Sequence, residues 1–494
     1  MMLWSLVLVP FVAGLVSYVI VSDRIRRSVW FIAMAFHLFI SFFLSFDGGE
    51  AGMSLQGGWL TLDALSRIFM PLTSLLFAAA TLYAIGAFEN EHGRKSDPGK
   101  AASAKVRRLS PESVFTGCIL VFLASMTTVI LSHRLGLQWV AIEATTLAST
   151  PLIYYHQGKR SLEAAWKYIL LCSVGIAVAL LGIFSLALAA SGVTSELSVD
   201  SLVTHATQLD PRWLKLVFVF ILVGYGTKMG LAPLHTWLPD AHSEAPSAVS
   251  ALLSGALLNC AFIGILRVLQ ILNAAGMGSF GEHILIFLGL FSMGVAAIFI
   301  LRQPDYKRLL AYSSVEHMGI VILGTGLASE GMFGSLLHAV NHSFVKSMLF
   351  MTAGNILAIY ATKRIDGVRA LKNRVPLLAV LWFGGFLAIT GSPPFGTFIS
   401  EFSILQEAVN QERYVTVGLY LFFLLLVFVG MAATFSKMTF GATTDTAPPK
   451  PLHVWSLVPP VFLGLAALMM GLYIPQQLDT MLRNAAALIS GGAL

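Results

Sequence analysis

Long apolar runs are the feature that most constrains this chain. They recur from the first residues to the last fifty, and each is long enough, at about 20 residues, to cross a lipid bilayer as a helix. Only 11% of the 494 residues are charged, whereas 56% are hydrophobic. A water-soluble protein of this size needs far more polar surface. We therefore predict an all-α, polytopic integral membrane protein.

The apolar runs predict about fourteen membrane spans. Their centres lie near residues 12, 37, 78, 122, 146, 177, 224, 257, 293, 319, 346, 392, 426 and 464. The first run is followed by basic residues and has no small-residue cleavage site, which favours a retained first helix over the alternative of a signal peptide.

Lysine and arginine are concentrated in the loops that follow odd-numbered spans. By the positive-inside rule those loops are cytoplasmic, and both termini face the other side of the membrane. The longest polar stretch, Glu89 to Glu112, is predicted to be a mobile cytoplasmic loop. The net charge of +6 is therefore a signal of topology, and we expect no nucleic-acid partner.

Several function classes are excluded by missing motifs. The three cysteines, Cys118, Cys172 and Cys260, all fall in apolar runs without the spacing of metal ligands, so we expect packing roles and no iron–sulfur cluster. The sequence also contains no phosphate-binding glycine motif. We therefore expect neither a cofactor nor a metal centre in this chain.

Two spans contain helix-breaking residues. Gly230 to Pro233 interrupts the seventh span, and Gly391 to Gly396 interrupts the twelfth. Paired interruptions are typical of inverted repeats around an ion path. Glu143 and Lys228 are 85 residues apart, and so are Glu316 and Glu401. This spacing suggests two five-helix repeats offset by about 173 residues.

The resulting domain boundaries are N-terminal helices 1–3 with the basic loop (1–112), a first repeat (113–275), a second repeat (276–440) and a final helix (441–494).

Ionisable and amide side chains occur inside the apolar spans: Glu143, Lys167, Lys228, Glu316, His317, His338, His342, Lys346, Glu401, Asn259 and Asn341. Charged groups at this depth cost about 2.5–3.5 kcal/mol and usually mark ion pathways with a named partner.

We interpret this polar set as a hydrated proton relay along the membrane. Loss of water disfavours the charged form of Lys228, whereas a neighbouring carboxylate such as Glu143 favours it, so a change in their distance could drive protonation. A structural alternative remains for each residue. A buried histidine can be a packing residue, and Glu316, Lys167 or Lys346 could extend to the membrane surface.

Four runs resemble the antiporter-like membrane subunits shared by respiratory complex I, group 4 membrane-bound hydrogenases and Mrp-type antiporters. They are KM (228–229) with PLHTWLPDAHSEAP (233–246), SSVEHMG (313–319), HAVNHSFVK (338–346) and GSPPFGTFISEF (391–402). The runs AIEATTLAS (141–149) and SGALLNCAF (254–262) are most similar to the hydrogenase-4 component F branch.

The resemblance implies a fourteen-helix fold with inverted five-helix repeats, proton translocation and membership of a larger membrane complex. It assigns Glu143 and Lys228 to helices five and seven, Lys346 to helix eleven, and Glu401 as the exit residue of helix twelve. Asn259 departs from the pattern, because many relatives carry a lysine or histidine there. The central step then falls to His317, His338, His342 or water.

We therefore predict a cofactor-free, proton-translocating subunit of a hydrogenase-4-like or NADH-dehydrogenase-like complex in a bacterial or archaeal cell membrane. The alternatives are a Mrp-type Na⁺/H⁺ antiporter subunit, a non-transporting structural subunit, and a subunit coupled to inorganic-carbon uptake. Glu401 is expected to be the outer gate, in the position that Lys228 occupies in the first repeat. Glu407 is expected to face solvent.

Overall fold

The computed structural model describes residues 2–46, 53–54, 58–95, 111–442 and 451–491, and most of these residues are helical. The first helices are α1 (Met2–Val19), α2 (Asp23–Phe46), α3 (Ala64–Lys95), α4 (Pro111–Leu131), α5 (Leu135–Ile153) and α6 (Lys159–Ala189). The middle of the chain forms α7 (Val199–Thr204), α8 (Pro211–Met229), α9 (Trp237–Glu244), α10 (Ser247–Leu252) and α11 (Leu258–Ala274). A single π-helical turn, Leu253–Leu257, joins α10 to α11.

The remaining helices are α12 (Gly278–Ile300), α13 (Tyr306–Leu327), α14 (Ser329–Tyr360), α15 (Leu371–Arg374), α16 (Pro376–Ile389), α17 (Gly396–Asn410), α18 (Tyr414–Phe440), α19 (Val454–Leu472) and α20 (Gln476–Ser490). Two short antiparallel strands, β1 (Met53–Ser54) and β2 (Thr61–Leu62), precede α3. An 18-residue stretch of the segment Ser247–Ala274 is entirely buried within the bundle, whereas α1, α18 and α19 expose apolar side chains on its outer surface.

The predicted spans are found in the structure, and the polytopic all-α fold is confirmed. Ten helices of the described chain are long and apolar enough to cross a membrane. The predicted spans near residues 146, 224, 319 and 392 correspond to α5, α8, α13 and the α16–α17 junction, which are shorter or richer in polar residues.

Loops alternate between two faces of the bundle, because each span crosses it once. On one face, which we call the basic face, Lys167 and Arg308 both form ion pairs with Asp240, and Lys363 pairs with Glu244. These residues follow the fifth, seventh, ninth and eleventh spans. On the opposite face, α20 packs beside the segments that follow the second, fourth, sixth and eighth spans.

The two predicted helix breaks are confirmed. The helix α8 ends at Gly230, whose φ of +83° terminates it, and the chain resumes as α9 after a cis Ala232–Pro233 bond. The second break follows α16, where Gly391 has φ +61° and Pro393–Pro394 is cis. Both angles lie in the left-handed region that glycine adopts readily.

The predicted correspondence between Lys228 and Glu401 is wrong. Pro233 and Pro394 are 161 residues apart, whereas the charge spacing had suggested about 173. As a result, Lys228 lies before its break, at the end of α8, and Glu401 lies after its break, in α17.

Two further regions differ from the prediction or extend it. The amphipathic helix α20 was not predicted; it buries Leu482, Ala485 and Ile489 against the bundle. Residues 96–110 of the predicted mobile loop lie outside the described residues. At the ends of that loop, Arg27 forms ion pairs with Glu89 of α3 and Glu112 of α4.

Candidate functional site

Lys228 lies at the centre of a buried hydrogen-bonded cluster. Its side chain is 1% exposed, and its Nζ donates to the Thr146 hydroxyl at 2.8 Å and to the Tyr168 hydroxyl at 2.7 Å. The Thr146 hydroxyl donates in turn to Glu143 Oε2 at 3.2 Å, and Ser173 donates to Glu143 Oε1 at 2.7 Å. The predicted partners Glu143 and Lys228 are therefore joined through one threonine hydroxyl, without a direct ion pair.

The backbone explains why a lysine is tolerated at this depth. Lys228 lies in the last turn of α8, where the exposed carbonyl ends of a helix carry partial negative charge. Such a position stabilises a cation by up to about 2 kcal/mol in a partly buried site. The ring of Tyr168, whose centroid is 4.6 Å from Nζ, adds a cation–π contact.

A second buried cluster surrounds Lys346 on α14. Its side chain is fully buried, and its Nζ donates to the Leu310 carbonyl at 2.6 Å and to the Ser313 hydroxyl. Both acceptors belong to α13 and are neutral. Lys346 therefore does not extend to the membrane surface.

Three histidines lie beside this lysine between α13 and α14. His317 Nδ1 is hydrogen-bonded to His338 Nε2 at 2.8 Å, and His338 Nδ1 to the Ser400 hydroxyl at 2.9 Å. The ring of His342 is centred 5.3 Å from that of His317. All three imidazoles are fully buried, and a chain of hydrogen-bonded imidazoles can pass a proton from one ring to the next.

Glu401 ends this row of side chains. It is 7% exposed, and its carboxylate lies against Gly391, so that a methyl group on Gly391 would come within 1.9 Å of Oε2. The breaking glycine thus provides the space that the carboxylate occupies. Glu316, on α13, is also buried, at 2% exposure.

Asn259 lies at the junction of the two halves. It follows the π-helical turn on α11 and donates from Nδ2 to the Ser343 hydroxyl at 2.9 Å and to the Gly255 carbonyl at 3.1 Å. Short π-helical turns often mark functional sites. Another hydroxyl pair, Ser254 and Ser314 at 2.8 Å, links the same turn to α13.

Two sequence expectations about burial are wrong. Lys167 is 45% exposed and forms ion pairs with Glu163 and Asp240 at the basic face. Lys167 lies only about two turns after the start of α6, so its long side chain reaches water. Glu407, expected to face solvent, is 8% exposed and accepts a hydrogen bond from Gln411 at 2.9 Å.

The site also contains hydroxyl groups that the sequence did not single out. Thr146, Tyr168, Ser313 and Ser400 each bond to a buried lysine or histidine. Hydroxyl residues are common in membrane helices, so their presence alone gives no signal. A hydrogen bond to a buried lysine or histidine on another helix distinguishes these hydroxyl groups from the others. That contact exists only in the folded chain.

A separate ionic cluster lies on the opposite face, where His133, Asp63 and Asp200 outside the spans meet Arg267 of α11. His133 is hydrogen-bonded to Asp63 at 3.0 Å and to Asp200 at 3.1 Å, and Arg267 lies 3.4 Å from the Asp63 carboxylate. Burial acts to lower the pKa of His133, but the bonds to Asp200 and Asp63 outweigh it and raise that pKa. Burial likewise acts to raise the pKa of Asp63, but Arg267 and His133 hold it well below its usual value.

Comparisons with known proteins agree with this architecture. The sequence profile of the family described as NADH:quinone oxidoreductase/Mrp antiporter, TM, matches residues 132–428. The hydrogenase-4 component F homolog of Methylacidiphilum infernorum is 36% identical over 82% of this chain and 83% of its own length.

Two solved structures share the fold. A chain of the membrane-bound sulfane sulfur reductase, an archaeal respiratory membrane complex, aligns with a TM-score of 0.86 at 22% identity over 99% of this chain and 97% of that chain. A chain of the Mrp complex from Dietzia sp. DQ12-45-1b aligns with a TM-score of 0.85 at 19% identity over the same shares.

Proposed function

The chain belongs to the NADH:quinone oxidoreductase/Mrp antiporter membrane family, and on this premise we propose that it is the proton-translocating subunit of a redox-driven membrane complex of the hydrogenase-4 type. The similarity to a hydrogenase-4 component F homolog over most of both chains supports this assignment. The redox chemistry belongs to partner subunits, and this chain supplies the proton path through the membrane.

The row of buried ionisable groups is the observation that carries the proposal. It runs from Glu143 and Lys228, past Asn259, to Lys346 and the three histidines, and ends at Glu401. Each of these groups costs free energy in a lipid-surrounded bundle unless it has a use or a partner. A path for protons uses all of them.

The steps of transfer follow from the contacts. A change in the position of the Thr146 hydroxyl alters how strongly Glu143 stabilises the ammonium of Lys228, and the lysine takes up or releases a proton accordingly. Asn259 cannot carry a proton as a charge, so transient water between Asn259 and Lys346 completes this step. The pair His317 and His338 then passes the proton toward Glu401.

Topology and domain boundaries belong to the same proposal. The basic face is cytoplasmic, and both termini lie outside, with the first repeat at 113–275 and the second at 276–440 between flanking segments. Lys167, at the edge of the basic face, lies at the mouth of the path.

A reporter fused after Leu494 is expected to behave as extracytoplasmic, and a tag within Glu89 to Glu112 as cytoplasmic; the reverse at both positions would contradict this topology.

The proposal is tested by proton movement in vesicles that contain the assembled complex. We expect Lys228→Met and Glu143→Gln to abolish most acidification at normal assembly, because each removes a charge on which the transfer depends. Lys215→Met, exposed near the start of the same helix α8, and Glu196→Gln, on an exposed loop, are matched controls. Normal pumping by both site variants would refute the proposal.

A second candidate, a Na⁺/H⁺ antiporter subunit, is supported by the family itself, which includes Mrp antiporters. The same vesicles separate the two functions. Proton movement that requires electron transfer and is unchanged by Na⁺ identifies the redox-driven pump, whereas movement driven by a Na⁺ gradient alone identifies the antiporter.

A further inference from the structure

Three buried side chains near the second helix break can act together as metal ligands. One donor atom each of His317, His338 and Glu401 lies within 4.8 Å of the other two. The residues come from α13, α14 and α17, and their spacing in the sequence gives no sign of a metal motif. We propose that they form a binding site for a divalent transition metal of the Zn²⁺ class, and that the bound ion stops proton transfer.

The hydrogen-bonding state of these residues supports the proposal independently. Within the described part of the chain, His317 Nε2 and Glu401 Oε1 are buried and have no hydrogen-bond partner, and neither ring nitrogen of His342 has one. A buried polar atom without a hydrogen-bond partner is energetically unfavourable. A cation at this position would recover that free energy.

The donor set selects the class of metal. Two imidazoles and one carboxylate suit Zn²⁺, Co²⁺ or Fe²⁺, whereas Mg²⁺ and Ca²⁺ prefer oxygen donors throughout. Zn²⁺ binds imidazole nitrogen and carboxylate oxygen at about 2.0–2.2 Å. Tetrahedral geometry then separates the donor atoms by about 3.3 Å, so side-chain rotations close the remaining distance.

The coordination number also fits. The imidazole of His342, centred 5.3 Å from that of His317, or a water molecule can supply the fourth ligand. Catalytic zinc sites commonly use three protein ligands and one exchangeable position.

The inhibitory effect rests on the proposed function. A metal-bound imidazole has no free lone pair with which to accept a proton, and the hydrogen bond between His317 and His338 must open for the ion to enter. A metal at this site therefore removes two successive carriers from the row. Protonation of the histidines competes with the metal, so binding weakens as the pH falls.

The experiment measures metal binding on the purified, assembled complex without reference to transport. After treatment with a chelator and desalting, one sample of the complex is titrated with Co²⁺, whose visible absorption reports tetrahedral coordination. A second sample is loaded with Zn²⁺ and desalted again, and its Zn²⁺ content is measured by elemental analysis. We expect one retained Zn²⁺ per chain in the wild type. His338→Ala and Glu401→Gln should each weaken binding more than about tenfold, since even outer-shell changes cost about 10–100-fold.

Two further variants keep the result interpretable. Glu401→Asp preserves a carboxylate ligand and should retain the ion, which separates loss of a ligand from loss of folding. His283→Ala removes an exposed histidine on α12 and should leave binding unchanged. No retained ion in the wild type, or retention by His338→Ala and Glu401→Gln that equals that of the wild type, would overturn the site.

Transport is then measured in wild-type vesicles across the same concentrations of Zn²⁺. We expect inhibition to follow the binding curve, and inhibition that does not follow it would overturn the blocking role. Failure of the proposed function would be seen differently, as normal pumping by Lys228→Met. That measurement does not depend on metal binding.

Discussion

At the scale of single residues, one hydroxyl links Lys228 to Glu143. Thr146 accepts a hydrogen bond from Nζ at 2.8 Å and donates one to Glu143 at 3.2 Å. Direct contact between lysine and carboxylate in a bundle of low dielectric would hold the proton tightly on the lysine. An intervening hydroxyl weakens that hold, so a small displacement suffices to change the protonation state.

Replacement of Thr146 by valine tests this role at constant shape. Removing the hydroxyl takes away both hydrogen bonds, and a contribution of about 1.4 kcal/mol corresponds to a tenfold change in rate or equilibrium. We expect Thr146→Val to lower proton movement about tenfold at normal assembly. Thr146→Ser keeps the hydroxyl and should remain within about twofold of wild type; equal loss in both variants would indicate a packing role instead.

At the scale of helices, the two breaks position the ends of the path. The first places Lys228 at a helix C-terminus, and the second clears the space that Glu401 fills. The glycine and proline runs were sufficient to predict both breaks. They place Lys228 before the first break and Glu401 after the second, and the 161 residues between Pro233 and Pro394 differ from the repeat offset of about 173 residues that the charge spacing suggested.

Gly391→Ala is the sharpest test of the second break. The new methyl group would be placed in the left-handed region, at a cost of about 1–2 kcal/mol, and would collide with the Glu401 carboxylate. We expect a loss of proton movement comparable to that of Glu401→Gln, with the complex still assembled. Gly384→Ala, on the same α16 with no atom near the new methyl, is the control; loss in both variants would show a general effect on the helix.

At the scale of the whole molecule, a clamp of ionic groups holds the face opposite the basic one. His133, Asp63, Asp200 and Arg267 join the α4–α5 turn to the start of α3, to α7 and to α11. A large cavity of about 980 Å³ beside this clamp is closed in part by α20. Because Arg67 lines the same cavity, the charges of opposite sign are balanced locally.

The clamp gives stability a defined dependence on pH. The raised pKa of His133 means that its contribution is complete below about pH 6.5, its usual value, and is lost as the pH rises through the raised one. Because the pKa values of Asp63 and Asp200 are lowered, these carboxylates stabilise the folded protein above about pH 4, and that stabilisation is lost at lower pH. We expect the melting temperature of the purified protein to fall between pH 6.5 and 9 in wild type and to change less in His133→Asn; parallel curves would contradict the clamp.

The sequence predicts this molecule unevenly across these scales. Apolar length and charge asymmetry identify the crossings, and the isolated charges Lys228, Lys346 and Glu401 are indeed buried. Apolarity cannot distinguish a helix face that meets lipid from one that meets another helix. For that reason the exposure of Lys167, the burial of Glu407 and the bridging hydroxyl of Thr146 depend on packing between distant segments.

The proposed proton path depends most directly on Glu401 at its end. Proton movement should be compared, in sealed vesicles at matched assembly, for Glu401→Gln, Glu401→Asp and the exposed control Glu412→Gln. We expect Glu401→Gln to block transport as fully as Lys228→Met, Glu401→Asp to retain part of it because the acid survives, and Glu412→Gln to be unchanged. Normal transport by Glu401→Gln would contradict the account.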